Sequence, residues 1–110
     1  MLSRTERLAL QSRLLEILGS DYVYFQPPST KHIEYPCIVY NYAGEYRRYA
    51  DDKKYLKINR YELTLITKSP EPVEILDSLS ELPYCSFNRE YSEDNLHHYA
   101  FTLHVTNERI

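Results

Sequence analysis

Glu45, Asp51, Asp52 and Lys53 form the chain's most suggestive set of reactive side chains. Acidic residues beside a lysine are what a magnesium-dependent nuclease uses to hold its metal and orient a water. Such enzymes place their acids on strand ends held by the core. Here the acids fall in the most polar stretch of the chain, which reads as a solvated loop tip, so a nuclease using Asp51 and Asp52 is kept as the alternative reading of another class. The same stretch interleaves Arg47, Arg48, Lys53 and Lys54 with Tyr46, Tyr49 and Tyr55, a pattern suited to phosphate contacts and base stacking. Glu45, Asp51 and Asp52 offset that charge locally. Tyrosine anchors and arginine forks are also the residue types of protein interface hot spots. The expected interface residues are therefore Tyr42, Tyr46, Arg47, Arg48, Tyr49, Asp51, Asp52, Lys53 and Tyr55.

The histidines and cysteines fit metal chemistry poorly. His98 and His104 share one face of a predicted strand but stand six residues apart, roughly 20 Å at about 3.3 Å per residue, whereas two ligands of one zinc ion each lie about 2 Å from it. His97 falls on the opposite face, and neither a CxxC nor an HxxxH spacing occurs. Cys37 and Cys85 each sit in an apolar run, where a thiol is a small inert hydrophobe of a reducing compartment and not part of a disulfide framework. No serine has the glycine-flanked turn of a nucleophile elbow, and two glycines in all leave no phosphate-cradling loop. The sequence predicts no catalytic, cofactor-binding or metal-binding residue, and a protein that is not an enzyme.

These residues need elements to position them. Ser3 and Glu6 have capping-box spacing, Leu8, Leu10, Leu14, Leu15, Ile17 and Leu18 recur at helical intervals, and Gly19 supplies a stop, predicting an amphipathic helix from about Arg4 to Leu18. Tyr22 to Phe25 reads as a short edge strand ended by Pro27 and Pro28. Pro36 opens an interior strand at Cys37 to Tyr42. Residues 43–57 are strongly polar, and Ile58 to Thr67 resumes a strand with Tyr61, Leu63 and Leu65 on one face, so the pair makes a hairpin with either an extended arm or a mobile loop. Ser69 and Pro70 signal a second helix, about Glu71 to Leu82. Tyr84 to Tyr91 follows with Cys85, Phe87, Arg89 and Tyr91 on one face, then a turn at residues 92–95. The last strand alternates most cleanly, with Tyr99, Phe101, Leu103 and Val105 opposed to His98, Ala100, Thr102 and His104 on a wet or interfacial face.

The order α-β-β-β-α-β-β implies an α+β fold. We expect a mainly antiparallel twisted sheet of about four to five strands, both helices packed on one face, and a long β-hairpin arm over residues 43–57. A length of 110 residues suits one domain. A net charge of -3 and a pI near 5.8 argue against a general nucleic-acid binder. With no long apolar run and a charged N-terminus, the chain is expected to be soluble and intracellular when made, with no membrane partner. Its aromatic side chains are twelve tyrosines and three phenylalanines with no tryptophan, and tyrosine suits contact surfaces.

Residues 23–29 (VYFQPPS), 35–42 (YPCIVYNY), 50–55 (ADDKKY), 60–66 (RYELTLI), 82–91 (LPYCSFNREY) and 94–103 (DNLHHYAFTL) together carry a family likeness. The chain resembles the small tail-completion proteins of long-tailed bacteriophages and prophages, which are similar in element order to the tail terminator, or tail-to-head joining, proteins of lambda-type siphophages. The resemblance implies a non-enzymatic virion component. It would form a ring, hexameric in such families, on the last ring of tail-tube subunits, end tube growth and present a surface to the head connector. A head-closure or connector-adaptor neck protein is the neighbouring alternative. The implied partners are further copies of the chain, the tail tube protein and the head connector or head-closure protein, with DNA passing through the lumen without specific binding. The implied location is the tail or neck of the virion, and the host cytoplasm during assembly.

Overall fold

The computed structural model describes residues 4–29, 32–50 and 54–106. Its elements run α1 (Arg4–Leu18), β1 (Val23–Phe25), β2 (Cys37–Ala50), β3 (Lys54–Thr67), α2 (Val73–Ser80), β4 (Cys85–Glu93) and β5 (Leu96–Thr106). Leu10, Leu14 and Leu18 recur every fourth residue, the spacing that stacks side chains on one helical face, and all three are buried. Leu8, which spacing groups with them, is 44% exposed because two residues from Leu10 is more than half a turn. Gly19 ends α1 with a φ of 76°, a left-handed conformation free of a Cβ penalty, and its N–H donates to the Leu15 carbonyl at 2.9 Å.

α2 is shorter than the predicted span of about Glu71 to Leu82. Glu71 has a φ of 54° and precedes Pro72, whose ring disfavours the helical region for its predecessor. The Glu71 N–H donates to Tyr99 Oη at 3.0 Å, which ties the helix entry to β5. The first turn therefore begins after Pro72, not after Pro70.

The sheet has the order β1-β2-β3-β5-β4, with β1 parallel to β2 and every other pairing antiparallel. Both edges follow from length and polarity: β1 has only three residues, and β4 is almost wholly exposed. Cross-strand rows then build the core. Val23, Ile38, Leu65 and Tyr99 form one row; Phe25, Tyr40, Leu63, Phe101 and Phe87 the next; Tyr42, Tyr61, Leu103 and Cys85 the third. Leu10, Leu14 and Leu18 of α1, Leu79 of α2 and Leu82 cover these rows, so both helices pack on one face. The fold is the expected α+β class.

Tyrosine is used differently from the expectation of a contact residue. Tyr40 and Tyr61 are fully buried and Tyr99 is 4% exposed. Tyr40 packs on Phe25 at 4.9 Å and on Tyr61 at 6.1 Å between ring centroids. Its hydroxyl is satisfied from α1, donating to Gln11 Oε1 and accepting from Arg7 Nη1 at 3.4 Å, while Gln11 Nε2 donates to the Val23 carbonyl at 3.0 Å. A phenol that needs a polar partner thus locks helix to sheet. Burial raises the Tyr40 pKa, and the Arg7 guanidinium partly opposes that.

β4 departs from a simple alternation. A register shift between Phe87 and Arg89 places Cys85 and Phe87 opposite Leu103 and Phe101 on the helix side, but Arg89 and Tyr91 opposite Ala100 and His98 on the other. The extra residue, Asn88, is absorbed by a β-bulge, with its Nδ2 donating to Thr102 Oγ1 at 2.6 Å. The predicted single face of Cys85, Phe87, Arg89 and Tyr91 is therefore split. The β4–β5 hairpin closes through Asp94 and Asn95, with φ of 54° and 63°, which is the two-residue turn needing positive φ twice.

Candidate functional site

The region that sequence chemistry singles out is a β-ladder. Pairing of β2 with β3 runs from Cys37↔Ile66 to Ala50↔Lys54, interrupted once, between Tyr42 and Gly44. Gly44 has a φ of 138°, a conformation that side chains rarely adopt, which explains a glycine at this bulge. The third strand, β5, ends at Thr106 opposite Ile58. Beyond that point, the last described residue of β5, the β2–β3 ladder continues through Arg47↔Lys57, Arg48↔Leu56, Tyr49↔Tyr55 and Ala50↔Lys54. Four pairs at about 3.4 Å per residue carry the ladder roughly 14 Å past the Ile58–Thr106 pair. The molecule accordingly measures 51 Å along its long axis and 25 by 23 Å across.

Tyr42 stands at the base, half-buried on the helix-covered face, with its ring edge-on to Tyr61 at 5.6 Å. Tyr46 on β2 pairs with Ile58 at the end of the described three-stranded part, and Arg47, Arg48 and Tyr49 on β2 and Tyr55 on β3 lie beyond it. Asp51, Asp52 and Lys53, central to the nuclease alternative and to the interface set, lie outside the described residues. Glu45 is exposed at the base, where Ala43, Gly44, Arg60 and His104 join it around a shallow hollow of about 290 Å³. Arg60 Nη2 donates to the Ala43 carbonyl at 3.0 Å there. Among the described residues no three His, Cys, Asp or Glu side chains converge as metal ligands would.

The sheet face away from the helices carries the expected His98, Ala100, Thr102 and His104, each half-buried. His98 stacks on Tyr91 at 4.7 Å with 13° between planes, and the Arg89 guanidinium lies 4.7 Å from the Tyr91 centroid. This short Arg-Tyr-His ladder was hidden from sequence by the bulge at Asn88, which brings Arg89 and Tyr91 to this face. His98 is thereby engaged in packing.

Cys37 and Cys85 are free thiols on β2 and β4, three strand spacings apart in the sheet order. Burial pushes their pKa values up to about 12 and about 11, so both stay protonated and poorly nucleophilic at neutral pH.

A second hollow, of about 310 Å³, lies at the opposite end of the β2–β3 hairpin, where β2 begins and β3 ends. Tyr35, Pro36, Thr67, Lys68, Pro72 and Ile75 line it. Its walls come from the β1–β2 connector, the end of β3 and the start of α2.

Near the arm's base, Asn59 of β3 is fully buried, and neither its Nδ2 nor its Oδ1 has a hydrogen-bond partner among the described residues. An unsatisfied buried amide costs about 1–3 kcal/mol, so Asn59→Leu is expected to raise unfolding stability by roughly that amount. Urea denaturation checks this. A lowered midpoint would show that the amide is needed where it sits.

No helix among the described residues is long and apolar enough to cross a membrane. Compared with known proteins, the chain matches no protein-family model and no curated protein.

Proposed function

We propose that the chain is a non-enzymatic structural subunit that assembles into a ring, hexameric by resemblance, at the head-proximal end of a bacteriophage tail tube. There it ends tube growth and joins the tail to the head connector. The observation that carries this reading is the long β2–β3 hairpin, whose ladder runs four pairs beyond the last described residue of β5 and holds Tyr46, Arg47, Arg48, Tyr49 and Tyr55. Tyrosine and arginine are the residue types of interface hot spots, so a hairpin that carries them away from the helix-covered core suits contact with a partner. A three-residue edge strand, an exposed second edge and a sheet face free of helix cover add further surfaces from which a ring subunit can build its two different patches. The net charge of -3 would let DNA pass through the lumen without adhering. Work of this kind is done by interfaces, not by bond-making side chains.

Negative-stain microscopy of the purified chain with tail tubes tests the reading. Rings capping tube ends are the expected result, whereas attachment to head connectors alone would favour the neck-adaptor role. A chain that stays monomeric and ignores both would overturn the proposal.

A further inference from the structure

We infer that the free edge of β4 pairs with the β4 of a second copy, antiparallel about a two-fold axis through Tyr91, so that two sheets join edge to edge. The contact goes beyond the ring reading above. A two-fold contact closes after two copies, so it stands apart from the contact that would build a ring.

The two edges of the sheet are not equally open. The Ile38 N–H donates to the Tyr22 carbonyl at 3.0 Å, which turns the backbone of Val23 outward. There the Val23 N–H donates to the Asp21 carbonyl at 2.9 Å and its carbonyl accepts from Gln11 Nε2 at 3.0 Å, so the β1 edge is closed from within. β4 has no such cap among the described residues, and its Asn88 side chain bonds inward to Thr102.

The free groups of β4 follow from its pairing. The His104 N–H donates to the Tyr84 carbonyl at 3.1 Å, and bonding from β5 then alternates through Thr102, Ala100, His98 and Leu96. Arg89, Tyr91 and Glu93 therefore bond inward, while Glu90 and Ser92 turn their N–H and C=O groups to the open edge. An unpaired backbone row of this kind is a template for another strand.

Register and charge select a second copy as that strand. Neither Arg89 nor Glu93 has an ion-pair partner among the described residues. With the axis at Tyr91, Arg89 of each copy faces Glu93 of the other, Glu90 faces Ser92, and Asp94 faces Asn88. Arg89, Tyr91 and Glu93 lie on one sheet face, so both ion pairs flank a central tyrosine pair. Moving the axis to Arg89, Glu90 or Glu93 sets like charges opposite each other, and moving it to Ser92 sets Glu90 against Asp94. The Arg89 guanidinium already lies 4.7 Å from the Tyr91 centroid, beside the axis. Glu90 and Ser92 exchange backbone bonds with Ser92 and Glu90 of the other copy, and the bulge at Asn88 keeps the ladder short. A contact this much smaller than the roughly 20–30 residues a side of a stable interface is weak and exchanging.

Cysteine cross-linking traps such a pair and reads its register. The full chain is used with the half-buried Cys85 changed to Ala and the fully buried Cys37 kept, circular dichroism confirming folding. Under mild oxidation Tyr91→Cys should give about tenfold more disulfide-linked dimer than Glu90→Cys or Ser92→Cys, because a non-hydrogen-bonded pair sets its Cα atoms about 4.5 Å apart, within disulfide reach. Random collision favours the opposite order, since Glu90 and Ser92 are exposed and Tyr91 is half-buried. An equimolar mixture of Arg89→Cys and Glu93→Cys chains should also link, while each alone stays at the background. Linking at Tyr91 no greater than at Glu90 or Ser92, or a mixture no better than its components, would overturn the pair. Rings that form while Tyr91→Cys stays unlinked would leave the proposed function standing.

Discussion

Replacing residues 48–56 with Asn-Gly is expected to yield a domain as stable as the parent that no longer assembles. Arg47 and Lys57 are already cross-strand partners, so a two-residue turn joins them without changing the register below. Asn-Gly supplies the positive φ values that such a turn requires. The described core begins on β3 at Ile58 and reaches on β2 to Tyr40, with Tyr42 packed against it, so the shortened hairpin keeps every described core residue. Thermal unfolding should move by no more than the ±0.5 kcal/mol typical of surface changes. Assembly, in contrast, should fall below detection by light scattering if the arm is the contact element, as proposed. Collapse of the fold would make the arm part of the domain's own stability. Unchanged assembly would remove it from the interface.

Leu14→Ala should destabilise the domain by about 2–5 kcal/mol, a large share of the roughly 5–15 kcal/mol that holds a domain of this size together. Leu14 is fully buried at the middle of the α1 stripe, between Leu10 and Leu18, where the sheet rows converge on the helix. The loss combines apolar transfer with a cavity that the surrounding rings cannot fill. Leu8→Ala, at a site 44% exposed on the same helix, should change stability by about 0.5 kcal/mol or less. Chemical denaturation of both variants measures the contrast. Equal effects would mean that α1 does not pack through its fourth-residue stripe.

Much of the frame is legible in the residues because single faces are buried. β5 alternates since the helices cover one side of the sheet, and α1 ends where Gly19 can take a left-handed φ. What escapes is set by choices that periodicity does not encode. The start of α2 depends on Glu71 being bound by Tyr99 from a distant strand, and the split face of β4 depends on one extra residue at Asn88. The tyrosines mislead in a useful way. Tyr40 looks like a surface residue by type, yet Gln11 and Arg7 supply the partners that let its hydroxyl be buried. Polar residues 43–57 read equally as arm or loop, because a strongly polar run carries no apolar alternation to mark a strand. Candidate contact residues could be named from sequence, whereas the hollow beside Lys68 could not, since its walls come from three separate segments.

The central claim is that the chain builds a closed ring from identical copies. Native mass spectrometry of the full chain, alone and after incubation with tail tubes, tests it most directly. The account predicts a discrete species at six times the 13.2 kDa chain mass, formed without a ladder of larger polymers. A 13.2 kDa monomer at every concentration, with tubes present or absent, would contradict it.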